Sequence, residues 1–154
     1  MLSAEEMDKA EAWFRASFRG GPGMGQELSR LNQDETQRVC GIYRNDPPAD
    51  EAKRIEALNK AMIQYPAGNK LMGDWKEGQK IFNAGFAYRI GTFIPSSPTA
   101  TRGGNCYACH QGESREVAYG NLGPSLLHYG KLRGQSPEIQ RYTYEKIFNA
   151  KAYN

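Results

Sequence analysis

Cysteine and histidine are scarce: three Cys and two His occur in 154 residues. So few thiols cannot build the disulfide framework of a small secreted scaffold, and an odd number leaves at least one unpaired within the chain. Methionine is absent from the second half, since Met1, Met7, Met24, Met62 and Met72 all precede residue 73. No apolar run is long enough to cross a bilayer, and the mean hydropathy is −0.73, so no membrane span is expected. Lys and Arg are interleaved with acids, and the net charge of +3 comes from no basic block, which argues against nucleic acid as a partner. No secretory leader is legible either. Met1-Leu2-Ser3 runs directly into Glu5, Glu6, Asp8 and Lys9, a start that fits a cytosolic protein or an exported domain without its leader.

With 39% hydrophobic and 24% charged residues, the chain has the composition of an ordinary globular domain with room for an additional structured segment. Charge divides unevenly along it. Residues 1–72 hold 10 Lys/Arg against 11 Asp/Glu and residues 73–154 hold 10 against 6, so the second part sums to +4 and could steer an acidic partner or anionic substrate.

Ser3 and Glu6 form a capping-box pattern, and Met7, Ala10, Phe14 and Phe18 recur at helical spacing, predicting a helix over 4–18 that Gly20-Gly21-Pro22-Gly23 ends. Leu28, Leu31 and Val39 predict a helical stretch up to Cys40. Ile55, Leu58 and Met62 stripe a third helix that stops before Pro66. From Asp74, a potential cap, the face of Trp75, Gly78, Ile81 and Phe82 predicts a helix to about residue 85. Residues 88–104 have a loop composition with one short extended piece at Thr92–Ile94. Pro137 and the run to Ala150 read as a last helix, with Ile139, Tyr142, Ile147 and Phe148 on its buried side. The expected fold class is therefore all-α, with a helical N-terminal extension over 1–72 and a second domain over 73–154.

The chemistry is concentrated in Gly104-Asn105-Cys106-Tyr107-Ala108-Cys109-His110, whose C-x-x-C-H pattern is the attachment signal for c-type haem. Two thiols two residues apart in a turn reach neighbouring vinyl groups on one porphyrin edge, and the next residue presents an imidazole to iron from the same side. Cys106 and Cys109 are the candidate attachment residues for one covalent haem c, and His110 is the candidate axial ligand. Competing uses of the motif fit less well. A zinc site wants four ligands, and beyond His110 only the isolated Cys40 and His128 remain. A thioredoxin-type pair follows a strand of a βαβ unit, whereas the residues before Cys106 are rich in Gly and Pro. A disulfide leaves the adjacent His unexplained.

The order of features resembles class I cytochromes c, in which a helix with a Gly and an aromatic residue precedes the haem motif and a Gly-Pro-x-Leu turn follows it. Gly78 and Phe82 match the helix, and Gly123, Pro124 and Leu126 match the turn. The resemblance implies a cytochrome c-like domain in which the Pro124 carbonyl accepts a hydrogen bond from His110. Residues 104–110, Gly120-Asn121-Leu122-Gly123-Pro124-Ser125-Leu126, Tyr129-Gly130 and Tyr144-Glu145-Lys146-Ile147-Phe148-Asn149 through Ala152-Tyr153-Asn154 resemble more narrowly the SoxX family. Members are the monohaem subunits of SoxAX, a periplasmic thiosulfate-oxidising cytochrome, and the likeness runs over about residues 73–154.

That resemblance implies an electron-transfer subunit of a cysteine S-thiosulfotransferase. Its partners would be a SoxA-type subunit holding the bond-forming haem, the carrier SoxYZ and a small cytochrome acceptor. Family members continue beyond the Tyr-Asn pair with a segment carrying the methionine sixth ligand, so the haem domain is expected to be incomplete at its C-terminus. None of the five methionines, nor His128, is assigned to the sixth position. Cys40 is expected to play a structural role, paired by resemblance with a cysteine just before that methionine segment.

Overall fold

A computed structural model describes residues 3–21, 27–85, 97, 99 and 101–153, and every regular element among them is helical. The described residues are thus all-α, as expected. The helices are α1 (Ala4–Ala16), α2 (Glu35–Ile42), α3 (Ala49–Ala61), α4 (Trp75–Asn83), α5 (Tyr129–Arg133) and α6 (Pro137–Phe148). Single 3-10 turns lie at Leu28–Leu31, Ala67–Asn69, Cys106–Ala108 and Ala150–Tyr153. No helix among the described residues is long and apolar enough to cross a membrane. The extended piece expected at Thr92–Ile94 lies outside the described residues.

The helix starts follow local chemistry. Ser3 accepts from the Glu6 amide at 3.2 Å while the Glu6 carboxylate accepts from the Ser3 amide at 2.8 Å, completing the box that begins α1. Asp34 and Gln37 form a second box, at 2.8 and 2.9 Å, and this one was not anticipated. It opens α2 after Asn32, so the single stretch expected to reach Cys40 is divided, with Leu28 and Leu31 left in a separate turn. Asp74 accepts from the Lys76 and Glu77 amides at 2.8 and 3.1 Å to start α4. Ser136 caps α6, whose first residue is Pro137.

The expected apolar stripes are only partly covered. Met7, Val39, Ile55 and Ala152 are buried, together with the polar Thr36, Asn59 and Glu145. Phe14, Phe18, Leu58, Met62, Ile147 and Phe148 are exposed, and α4 has no buried residue at all. Helical periodicity marks the face that can be covered; what covers it is a tertiary matter.

The interior is organised around a polar hub. Asn59 on α3, 3% exposed, donates at 2.7 Å to the Thr36 hydroxyl on α2 and to the Ile55 carbonyl. Its own side-chain and backbone oxygens accept from Asn149, just past α6, at 3.0 and 3.2 Å. Hydrogen bonds to buried amides are expensive to leave unmade, so one short side chain fastens α2, α3 and the end of α6 in a single register. Nearby, the Glu145 carboxylate accepts from the Tyr65 and Tyr153 hydroxyls and, at 2.8 Å, from Arg141. Tyr144 stacks on Tyr65 at 5.8 Å and donates to the Gln64 carbonyl at 2.6 Å. The 1–72 and 73–154 segments are therefore joined by buried polar contacts.

Two stability predictions arise from this interior. Asn59→Ala removes the donor to the Thr36 hydroxyl and leaves the Asn149 amide only the backbone carbonyl of residue 59, and should cost about 1–3 kcal/mol, read as a lower urea midpoint at unchanged slope. The second concerns acid. Burial pushes the Glu145 carboxyl up, but the Tyr65 and Arg141 hydrogen bonds and the Arg141 and Lys60 charges outweigh it and hold the carboxyl below the ordinary glutamate value. A carboxyl depressed in the folded state contributes stability above its unfolded value and loses it as pH falls through the folded one. Stability should thus decline below the usual glutamate range, and Glu145→Gln should flatten that part of an unfolding-against-pH profile.

Candidate functional site

The cysteine segment rests on the end of α4. The Gly104 amide donates to the Ile81 carbonyl at 3.2 Å and the Asn105 amide to the Ala84 carbonyl at 3.1 Å. Approach is so close at Gly103 that a Cβ there would stand 2.2 Å from the Ile81 oxygen. Asn105 adopts the left-handed conformation, φ 52°, which Asn tolerates better than most residues, and so turns the chain into the Cys106–Ala108 turn. The Cys109 and His110 amides both close on the Cys106 carbonyl, at 3.1 and 2.8 Å. This winding brings Cys106, Cys109 and His110 into one compact turn. All three are half-buried, and both thiols are free.

A second segment lies against this turn and fixes the imidazole. The amides of Gly120, Gly123 and Leu126 donate to the carbonyls of Tyr107, Cys109 and Gln111, each at 2.8 Å. His110 Nδ1 then lies 2.7 Å from the Pro124 carbonyl. Since a carbonyl only accepts, Nδ1 is the donor, and Nε2 is the ring nitrogen that Pro124 does not engage. The contact inferred from the Gly-Pro-x-Leu turn is therefore present. Gly123 is the residue that permits it: a Cβ there would stand 2.2 Å from His110 Cε1. Gly120 is equally constrained, with a Cβ falling 1.6 Å from the Ala108 oxygen. Gly103 carries no expectation beyond its loop setting, and Gly120 enters only as part of the string Gly120–Leu126; that either must lack a side chain is a matter of tertiary contact.

Other candidate residues are placed apart. His128 is exposed at the start of α5, in a left-handed conformation with φ 57°. Met7 is buried as core, whereas Met62 and Met72 are 60% and 64% exposed, so helical spacing did not make Met62 a packing residue. Met1 and Met24 lie outside the described residues. Cys40 is half-buried on α2 with a free thiol.

The middle of the chain leaves its apolar side chains largely uncovered. Among the described residues between Asn59 and Glu145 none is buried, while Trp75, Ile81, Leu122 and Leu132 are 50% exposed or more. A cavity of about 430 Å³ opens between α5, α6 and residues 71–72, with Met72, Tyr129, Ile139, Thr143 and Ile147 on its walls. The donor set fits haem c: two free thiols at thioether spacing and one imidazole held through its Nδ1. No three His, Cys, Asp or Glu side chains among the described residues converge on a common metal-ion site, as zinc would require.

No family model matches the chain. It is similar to an uncharacterized lipoprotein of Aquifex aeolicus, 36% identical over 119 residues, a match taking in 76% of this chain and 54% of that protein. The chain thus spans about half the length of the curated relative it matches.

Because Gly123 has no room for a methyl group, Gly123→Ala should push the His110 ring away from the Pro124 carbonyl. NMR of the imidazole should report loss of the slowly exchanging Nδ1 proton, and the fold should weaken by about 1–3 kcal/mol from overpacking. An unchanged Nδ1 proton would contradict the geometry described for this loop.

Proposed function

We propose that this chain is a monohaem c-type cytochrome that serves as the electron-transfer subunit of a SoxAX-type cysteine S-thiosulfotransferase. The observation that carries the haem reading is the hydrogen bond from His110 Nδ1 to the Pro124 carbonyl beside two free thiols in a single turn. A buttressed neutral imidazole next to a thioether-spaced Cys pair is what axial ligation of a covalently held haem demands. When bound, haem supplies reversible one-electron transfer.

The residues divide the remaining work. Cys106 and Cys109 would each add their S–H across a porphyrin vinyl group, an addition that needs no oxidant. His110 would ligate iron through Nε2, with the Pro124 carbonyl fixing ring rotation and raising the basicity of the imidazole. Gly120 and Gly123 let the backbone close over the imidazole. The sulfur-oxidation setting draws its support from the sequence resemblance over 73–154. In that setting the chain accepts electrons released on a SoxA-type subunit as thiosulfate is joined to a SoxYZ cysteine, and it passes them to a small cytochrome.

An envelope location is supported by the relative's description as a lipoprotein, and the periplasm is the compartment the SoxX likeness points to. The lipoprotein relative also favours a second reading, a monohaem carrier held at a membrane surface that serves another oxidoreductase.

Expression with haem-maturation machinery tests the first step. The chain should carry one covalent haem by mass and visible spectrum, Cys106→Ala with Cys109→Ala should abolish attachment, and His110→Ala should retain the thioethers while altering the spectrum. A colourless wild-type protein, or covalent haem in the double variant, defeats the proposal. Co-purification with a SoxA-type subunit and reduction by thiosulfate in its presence separate the first reading from the second.

A further inference from the structure

We infer that Ser125 is a positioning residue for the proposed haem ligand: bonded to Gln111, its hydroxyl sets the direction in which the Pro124 carbonyl meets His110, and so how strongly the imidazole donates to iron. The inference rests on the haem reading. It begins with the peptide unit that carries the acceptor. The Pro124 carbonyl belongs to the planar unit between Pro124 and Ser125, so its direction follows from ψ of the first residue and φ of the second. The pyrrolidine ring restrains the backbone before this unit. After it the restraint comes from a side chain. The Ser125 hydroxyl accepts from the Leu127 amide at 3.2 Å, closing a local turn over 125–127, and donates to Gln111 Oε1 at 3.0 Å.

Gln111 is a firm anchor for that bond. It directly follows His110, and its carbonyl accepts from the Leu126 amide at 2.8 Å. The next residue is pinned as well: the Gly112 amide donates to the Glu116 carboxylate at 3.0 Å, and a Cβ on Gly112 would stand 2.8 Å from Phe82 Cε1. Backbone bonds from the Gly123 and Leu126 amides already bring the two segments into register, so register is not the task of Ser125. Between those two anchors the Pro124–Ser125 unit can still tilt, and the Ser125 hydroxyl is the group that restrains it. Ser125 is exposed, water competes for its bonds, and the contact therefore adds little to overall stability. Its effect is on direction. A carbonyl aligned with the Nδ1 proton makes the imidazole a stronger donor and favours the more highly charged oxidised iron, whereas a tilted one forms a weaker bond. Without the hydroxyl the oxidised form loses.

The test uses the full chain carrying covalent haem, in wild-type form and as Ser125→Ala, Ser125→Thr, Gln111→Ala and the double alanine variant. Every variant should keep its thioether-bound haem and a urea midpoint close to that of the wild type. At a fixed solution potential the oxidised-to-reduced ratio should fall about threefold in Ser125→Ala, and exchange of the His110 Nδ1 proton in the reduced state should quicken by a similar factor. Ser125→Thr keeps the hydroxyl and should retain both values. Gln111→Ala leaves the Leu127 bond in place and should shift the ratio in the same direction by less. The double variant should match Ser125→Ala, because the two changes remove one shared contact. An unchanged ratio in both single alanine variants overturns the inference, and so does a Ser125→Thr protein that behaves like Ser125→Ala. Faster exchange at the Gly120 and Gly123 amides with an unchanged ratio also overturns it, since a merely structural role loosens the loop without altering the ligand. If Ser125→Ala does not fold, Gln111→Ala decides, and an unchanged ratio there overturns the inference. A wild-type chain without covalent haem defeats the cytochrome reading itself, a failure distinct from these.

Discussion

The 2.7 Å contact between His110 Nδ1 and the Pro124 carbonyl organises the middle of this chain. For it to form, residues 120–126 must lie along the Cys106–His110 turn, which they do through three amide-to-carbonyl hydrogen bonds that begin at Gly120, Gly123 and Leu126. Two of those donors are glycines because a Cβ at either would overlap the turn. The turn must in its turn sit on α4, where Gly103 meets the Ile81 and Ala84 backbone. Orienting one imidazole thus dictates where glycine is required across some twenty residues and explains why this region is built from backbone contacts in place of packed side chains.

The two ends of the chain obey a different economy. Among the described residues their interior holds three buried polar residues beside four apolar ones, and the buried polar side chains have their partners. Buried amides and carboxylates add little net stability compared with apolar packing, but they penalise every wrong register, because a misplaced helix leaves a desolvated donor or acceptor. Asn59 and Glu145 therefore define where α6 lies more than they deepen the well. Arg141 and Lys60 keep the Glu145 carboxyl charged in spite of its burial, which ties this definition to pH.

Between these two constructions the apolar side chains stay largely uncovered, with Trp75, Ile81, Leu122 and Leu132 at least half exposed. Single exposed apolar residues are ordinary on a protein surface, but here no described residue between Asn59 and Glu145 is buried to balance them.

Sequence alone carried the local features. The Ser3–Glu6 box, the Asp74 cap, the Pro137 start and the all-α class were legible because each is decided within one helical turn, by hydrogen-bond chemistry between near neighbours. The closeness of Cys106, Cys109 and His110 was legible for the same reason, since residues within five positions need no distant partner to be brought together, and the contact of His110 with Pro124 was expected from its Gly-Pro-x-Leu setting. Tertiary structure decided the rest. It split the helix expected to reach Cys40 at Asp34, uncovered Leu58, Met62 and Ile147, and put Asn59 and Glu145 inside. Burial belongs to pairs of elements distant in sequence: Asn59 meets Asn149 and Tyr65 meets Glu145 only after the chain has closed on itself. No periodicity within one helix records which partner, polar or apolar, will arrive at its face.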